Sequence, residues 1–208
     1  MTNSAGATGL DATTREAVVE LVIRGMHRGA VTSEQQVLVD RGFAMTKGPL
    51  LMPTPAGTAA AKAATRLLAA GDEERALRPL FDKFLPINHQ LRELCTAWQL
   101  RPDGTPNDHS EAAYDASVRD RLDDIDNAIG RILRRMSEVA PGLAQYRVHL
   151  SASLAKFDDG DPSMLTSPLT DSYHTVWMWL HQELLLLLGI SRAEDERLEA
   201  ELVAGQMV

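Results

Sequence analysis

The feature that most constrains the fold is a long amphipathic segment over residues 111–140, which Pro141-Gly142 ends. Its apolar residues recur at intervals of three and four, as they do on one face of an α-helix. They are Val118, Leu122, Ile125, Ile129, Ile132, Leu133 and Met136. A helix with such a long apolar stripe is stable only when other elements cover the stripe. The segment therefore predicts a helical bundle.

Further helices are predicted over 75–85, 87–100, 143–157 and 167–188, and the charged segment 191–204 is helix-prone. Short connections that contain Pro, Gly and Asp separate these helices. Such a series of helices with short connections is typical of a bundle of about four to six helices.

The first part of the chain has a different pattern. A first helix is expected to be capped by Thr13 or Thr14, and a short helix covers 33–41. Two apolar runs around Lys47-Gly48-Pro49 predict a β-hairpin. Thr54-Pro55 can then cap and start an alanine-rich helix.

This order, with Arg41-Gly42-Phe43 before the hairpin and Thr54-Pro55-Ala56-Gly57 after it, resembles the winged-helix head of bacterial MarR-type regulators. The resemblance covers residues 13–70 and implies a head that binds DNA. Winged-helix heads usually carry two helices between the first helix and the wing, and the second of these enters the major groove. Here the chain has room for one modest helix, so segment 33–41 either is the recognition helix or replaces a lost one.

Together these patterns predict a mainly α fold, in which a winged-helix-like head with a small β-hairpin precedes a helical bundle. The expected organisation is a disordered tail over 1–12 and a winged-helix-like domain over 13–70. A helical bundle with a candidate ligand pocket follows over 71–190, and a charged helix or tail over 191–208.

Charge and composition limit the classes of partner. The formal net charge of -8 argues against indiscriminate binding to nucleic acid or anionic membrane. Residues 1–62 carry a formal charge of +1, so any DNA contact is expected in the head. We expect a cytoplasmic protein without a membrane segment, because no apolar run is long enough to span a bilayer, the N-terminus lacks the pattern of a signal peptide, and the single Cys95 allows no intrachain disulfide.

Two sets of side chains are candidates for binding. The predicted DNA-binding residues are Gln35, Gln36, Arg41 and Lys47. The predicted ligand-binding residues are Asn88, Trp98, Gln99, Asn107, Asp108, His109, Tyr173, His174, Trp177 and His181. In the second set, His174, Trp177 and His181 are spaced to share one helix face. Aromatic residues at this spacing are also typical of a core, and Asn107-Asp108-His109 is also typical of a turn with a helix cap.

An enzyme, or a partner subunit of an enzyme in small-molecule metabolism, is the alternative to a regulator. In that case the head is a vestigial module, and His109 or His174 acts as general acid or base. Histidines and nearby carboxylates could supply metal ligands, but the sequence has no HExxH and no paired Glu-x-x-His, so neither a metal nor another cofactor is expected. Cys95, on an apolar helix face, is expected to be an inert core residue.

The helical region carries a second resemblance. Phe84-Leu85-Pro86-Ile87-Asn88, Pro106-Asn107-Asp108-His109 and the stretch from Pro168 to Trp177 resemble an uncharacterised actinobacterial group of winged-helix or MarR-like proteins, associated with phosphoenolpyruvate-utilising enzymes. The resemblance spans residues 81–188 and implies a shared pocket rather than a known activity. The expected partners are thus a small-molecule ligand, DNA through the head, and a second copy in a homodimer, since symmetric dimers are the commonest assembly.

Overall fold

The computed structural model of the chain describes residues 10–206, which fall into two compact units. The first unit, called the head, comprises the residues up to Ala69 together with Met178–Ser191. The second, called the helical unit, comprises Ala70–Trp177 together with the residues from Arg192 onward. The predicted mainly helical fold with a small antiparallel sheet near the N-terminus is confirmed. Among the described residues, no helix has both the length and the apolar character needed to cross a bilayer.

The head begins with a run of short elements. They are α1 (Ala12–Arg24), β1 (His27–Arg28), α2 (Ser33–Asp40), β2 (Ala44–Lys47), β3 (Leu50–Pro53) and α3 (Pro55–Thr65). The three strands pair antiparallel in the order β1–β3–β2, so β3 is the central strand. The predicted hairpin is β2–β3. The sequence does not predict β1, because two residues are too few for a hydrophobic alternation to be recognised.

Side-chain caps fix where the helices of the head begin. The tail predicted over 1–12 lies mostly outside the described residues, but Leu10 is buried and Asp11 caps α1. Asp11, rather than Thr13 or Thr14, takes this role, because its carboxylate accepts hydrogen bonds from both the backbone N–H and the hydroxyl of Thr14, at 2.9 and 2.7 Å. The predicted cap of α3 is confirmed, since the Thr54 hydroxyl accepts the Gly57 N–H at 3.1 Å.

The core of the head joins α1, α2, the sheet and α3. Its buried residues are Leu10, Val18, Leu21, Leu38, Ala44, Leu51 and Ala60. A smaller cluster joins Val22 and Ala61 to Leu186. The sequence assigned residues 178–190 to the helical bundle, whereas this cluster, and the Leu67 N–H that donates to the Leu187 carbonyl at 2.9 Å, group them with the head.

Helices make up most of the second unit. They are α4 (Asp72–Gln99), α5 (Ala112–Val139), α6 (Ala144–Asp158), α7 (Ser163–Thr166), α8 (Tyr173–Leu188) and α9 (Arg192–Gln206), with a 3-10 turn over Pro141–Leu143. Only the start of α8, up to Trp177, belongs to this unit. The helix predicted from residue 167 begins at Tyr173 instead, because the Ser172 hydroxyl accepts the Thr175 N–H at 3.2 Å and so caps α8.

The two helices predicted over 75–85 and 87–100 are one continuous helix, α4, that contains Pro79 and Pro86. A proline removes the hydrogen bond to the carbonyl four residues earlier, which here belongs to Arg75 or to Asp82. Both of these residues are exposed, so water can satisfy their carbonyls. The apolar face of α4 continues past both prolines and packs along α5, which keeps the helix intact.

Helix α3 approaches the chain before β2 so closely that only glycine fits at position 57. A Cβ at Gly57 would lie 2.0 Å from the backbone oxygen of Phe43. Backbone atoms cannot move aside as a flexible side chain can. Hydrogen bonds from Thr54 to the Gly42 and Phe43 carbonyls, at 2.6 and 2.9 Å, hold the two segments at this distance.

We therefore expect Gly57→Ala to lower the free energy of unfolding of the head by about 2 kcal/mol, because the overlap outweighs the gain in helix propensity. Urea denaturation followed by circular dichroism measures the change. Gly205→Ala is the matched control, since Gly205 also lies in a helix and a Cβ there meets no atom within 4 Å. Equal stability of Gly57→Ala and the wild type would contradict the close approach.

Candidate functional site

The loop between α4 and α5 folds back onto the end of α4 and carries a cluster of polar side chains. The Asn107 backbone N–H donates to the Gln99 carbonyl at 2.8 Å, and Leu100 forms a β-bridge with Pro106. These contacts place Asn107 and His109 against Trp98 and the first turn of α5. Three of the predicted ligand-binding residues are thus brought together.

Asn107 is the buried centre of this cluster, with 8% of its surface exposed. Its side-chain amide donates to the Trp98 carbonyl and to the Asp115 carboxylate, both at 3.0 Å. Its side-chain oxygen accepts the His109 backbone N–H at 3.3 Å. Asn107 therefore links the loop to both flanking helices and holds the backbone of His109.

Within this cluster, the imidazole of His109 is the group that can take part in a reaction. Its Nδ1 lies 3.1 and 3.2 Å from the two carboxylate oxygens of Asp115, and its ring centroid lies 4.3 Å from that of Trp98. Within residues 10–206, no hydrogen-bond partner faces the other ring nitrogen, Nε2. A carboxylate that accepts a hydrogen bond from Nδ1 fixes the tautomer and makes Nε2 the basic nitrogen. The arrangement can thus accept a proton or a ligand at Nε2.

The backbone of His109 is strained, since its φ of 58° lies in the left-handed region. This conformation costs a residue with a Cβ about 1 kcal/mol. The hydrogen bond from the His109 N–H to Asn107 helps to maintain it. Strain of this kind is concentrated at functional sites, which makes His109 a candidate for more than a turn residue.

The side chains of Asp108 and Gln99 do not take part in this cluster. The Asp108 carboxylate is exposed and accepts hydrogen bonds from the hydroxyl and the backbone N–H of Ser110, which lower its pKa. This contact describes a turn that leads into α5. The side chain of Gln99 is exposed at the end of α4.

A second group of predicted residues lies in the packed core of the helical unit. Asn88, Tyr173 and Trp177 are each exposed by 2% or less. The Trp177 indole N–H donates to the Asn88 side-chain oxygen at 2.8 Å, and the Asn88 amide donates to Glu199 at 2.6 Å. The Trp177 ring stacks between Phe84 and Tyr173. These side chains therefore satisfy one another.

The other two candidate histidines and the single cysteine are buried to different degrees. His174 is half-buried at the start of α8, and burial lowers its pKa, which favours the neutral imidazole. His181 is buried and belongs to the head. Burial raises the pKa of the Cys95 thiol to about 12, so this group is a thiol rather than a nucleophilic thiolate at neutral pH.

The predicted DNA-binding residues differ in whether their side chains already have a hydrogen-bond or ion-pair partner. Gln35 forms a capping box with Thr32 at the start of α2, and Gln36 donates to Asp40 at 2.9 Å. Arg41 lies 3.9 Å from Asp11. Lys47, at the end of β2, is exposed and has no ion-pair partner in the described part of the chain.

Sequence reasoning missed two side chains that complete these sites. Asp115 orients His109 but lies six residues away across a helix start, so only the fold of the loop brings the two together. Arg28 lies on β1, whose two residues carry no strand pattern. Only the pairing register of β1 against β3 identifies Arg28 as part of the site, and this register is visible in the tertiary structure but not in the sequence.

The cluster around Asn107 leads to a stability prediction. Asn107→Ala should lower the free energy of unfolding by about 1–3 kcal/mol, because it leaves buried polar groups without a partner. Asn107→Asp should cost more near neutral pH, since it places a second carboxylate against Asp115, and the excess should shrink as acid protonates the pair. Chemical denaturation at several pH values measures both effects.

Asn127→Ala, at an exposed position of α5, is the control and should be nearly neutral. If Asn107→Asp were as stable as Asn107→Ala at neutral pH, the amide could not be donating to Asp115.

Comparison with known proteins gives no family assignment for the chain. No protein-family model, curated protein sequence or solved structure matches it. The two resemblances noted in the sequence therefore stay predictions.

Proposed function

We propose that the chain is a DNA-binding regulator whose head contacts DNA through one face of its small sheet. The observation that carries this proposal is the register of the strands. Arg28 on β1 and Lys47 on β2 both pair with Leu50 on the central strand β3. Directly paired residues point to the same face, and the strands of a sheet are about 4.8 Å apart. Arg28 and Lys47 thus flank Leu50 on one face, and their Cα atoms are about 10 Å apart.

The buried and exposed residues of β3 indicate which face this is. Leu51, which is 1% exposed, points into the core of the head, so its neighbour Leu50 points away from that core. Arg28 and Lys47 are exposed, and neither has a carboxylate partner among residues 10–206. Unpaired cations at this spacing suit contacts to phosphates of a nucleic-acid backbone.

Helix α2 stands directly before β2, where a winged-helix head carries its recognition helix. Its charges limit what it can contact, since it carries Glu34 and Asp40 and no basic residue. A hydrogen bond from its own backbone N–H, with others from Thr32 and Ser33, lowers the pKa of Glu34 and keeps it ionised. We therefore assign phosphate contacts to Arg28 and Lys47, and only base-edge contacts to α2.

A groove of about 370 Å³ between α1 and α2 supports the same division of roles. Its charged lining includes Glu16, Glu20 and Glu34, and its Arg24 is paired with Glu20 at 2.9 Å. Carboxylates repel phosphates, so a nucleic-acid backbone would avoid this groove. This assigns the phosphate contacts to the sheet and leaves α2 only the base-edge contacts.

Lys47→Ala and Arg28→Ala should each weaken binding to the chain's own upstream DNA, because each removes one cation that faces a phosphate. The dependence of log K on log salt concentration should become shallower by about one unit for each cation removed. Fluorescence anisotropy with labelled duplexes, at several salt concentrations and with scrambled DNA for comparison, measures both quantities.

Lys83→Ala is the matched control, since it removes an equal charge from an exposed position of the helical unit. An unchanged salt dependence of binding in both head variants would show that the sheet does not contact DNA. Absence of specific binding by the wild type would overturn the proposal as a whole. The stoichiometry of the same titration tests the proposed homodimer, for which a palindromic site should bind two chains.

A second candidate function, acid–base or nucleophilic chemistry at His109, is favoured by the pairing of its Nδ1 with Asp115. The Nε2 lone pair would then be the reactive one. Diethyl pyrocarbonate tests this reactivity: Nε2 attacks a carbonyl carbon of the reagent, ethanol and carbon dioxide leave, and the ring keeps a carbethoxy group. Mass spectrometry locates the modified residue and gives its rate.

Asp115→Asn should slow the modification of His109 several-fold, because no carboxylate then holds the proton on Nδ1 and keeps the Nε2 lone pair free for attack. Asp103→Asn is the control, since the Asp103 carboxylate in the same loop bonds to Thr105 rather than to His109. Equal rates in the wild type and both variants would eliminate this second function.

A further inference from the structure

A groove of about 510 Å³ lies between α5 and α6 in the helical unit, away from the cluster around His109. Its lining residues are Asp126, Asn127, Gly130, Arg131, Leu133, Arg134, Ser137, Ala144 and Arg147. The volume falls in the range of sites for small molecules. Three guanidinium groups and one carboxylate give this groove a positive charge within a chain of net charge -8.

The single carboxylate of the groove is already neutralised. Both oxygens of Asp126 accept hydrogen bonds from the Arg147 guanidinium, at 3.0 and 2.9 Å. The buried Tyr173 hydroxyl donates to the same carboxylate at 3.0 Å. At Gly130, a Cβ would lie 3.3 Å from Nη1 of Arg147, so the absence of a side chain there leaves room for the guanidinium. Asp126 and Arg147 thus form a fixed, neutral wall.

Arg131 and Arg134 supply the charge that remains. They lie three residues apart on α5, so they are neighbours on one face of the helix. Both are exposed, and neither has an acidic partner in the part of the chain that the structure describes. Two other exposed arginines of α5, Arg121 and Arg135, likewise have no acidic partner among the described residues, so Arg131 and Arg134 are distinguished by their position in the groove.

The rest of the lining can hold the body of an organic molecule. The exposed Ala144 offers a small apolar surface, and the exposed amide of Asn127 can donate and accept hydrogen bonds. The Ser137 hydroxyl donates to the Leu133 carbonyl at 2.6 Å, which leaves its oxygen free to accept from a ligand. Such a mixture of one apolar surface and a few polar groups is typical of small-molecule sites.

We propose that this groove binds a small organic anion through paired contacts from Arg131 and Arg134 to a phosphate or carboxylate group. Guanidinium groups match both oxyanions through parallel hydrogen bonds. This site is distinct from the DNA-contacting sheet and from His109, and it does not depend on either of those proposals. If the head binds DNA, the groove is a place where an effector could act.

Calorimetric titration of the full chain with sodium pyrophosphate and with sodium citrate, at matched ionic strength, tests the site. Arg131→Gln and Arg134→Gln should each weaken binding about tenfold or more, because each removes a charged hydrogen bond. Pyrophosphate binding alone would assign a phosphate ligand, and citrate binding alone would assign a carboxylate ligand. Circular-dichroism melting curves check that these exposed substitutions leave the fold intact.

Arg135→Gln is the matched control, since Arg135 is exposed on the same helix and does not line the groove. Its affinity for either probe should equal that of the wild type. Failure of both anions to bind would overturn the site, and so would an equal loss in Arg135→Gln, which would indicate general attraction by charge. Loss of duplex DNA affinity in Arg131→Gln, without any anion binding, would reassign the groove to nucleic acid.

Discussion

Burial of the facing apolar stripes of α4 and α5 is the constraint on which the helical unit depends. Each helix has 28 residues, which makes it about 42 Å long. Neither stripe could remain in water, and each covers the other along most of its length. This packing keeps α4 helical across two prolines. Helix α9 packs against α4, and α6 packs against α5.

The polar groups that this packing encloses are satisfied by one another. Asn88 bonds to Trp177 and Glu199, and Asn107 bonds to Trp98 and Asp115. A buried polar group without a partner is costly, so these amides are fully used by the fold. These two amides therefore stabilise the fold around the sites. The polar side chains that remain available to a ligand lie at the surface.

The net negative charge of the chain is compatible with the two anion-binding sites proposed above. At physiological ionic strength, charges are screened beyond about 8 Å, so the nearest charges decide what a surface binds. Arg28 and Lys47 form one local exception to the acidic surface, and Arg131 and Arg134 form another. The remaining acidity limits indiscriminate binding, which favours selectivity at both places.

By itself, the sequence determined the elements that have a strong local signal. The period of its apolar residues predicted α5 nearly to its ends, the flanking Pro141-Gly142 and Asp158-Asp159-Gly160 set the bounds predicted for α6, and Lys47-Gly48-Pro49 predicted the hairpin that the structure has. Thr54 and Pro55 predicted the start of α3, because a cap and a first-turn proline act within one turn. These signals depend only on neighbouring residues.

Only the tertiary structure decided the features that depend on distant partners. It placed Asp115 against His109, paired Arg28 and Lys47 with the same residue of β3, and brought Arg147 of α6 beside Arg131 and Arg134 of α5. It also joined two predicted helices into α4, because the energy of packing along α5 exceeds the local preference of proline. Local pattern reports which face of an element is apolar, but the register and approach of two elements are set by the contacts between them.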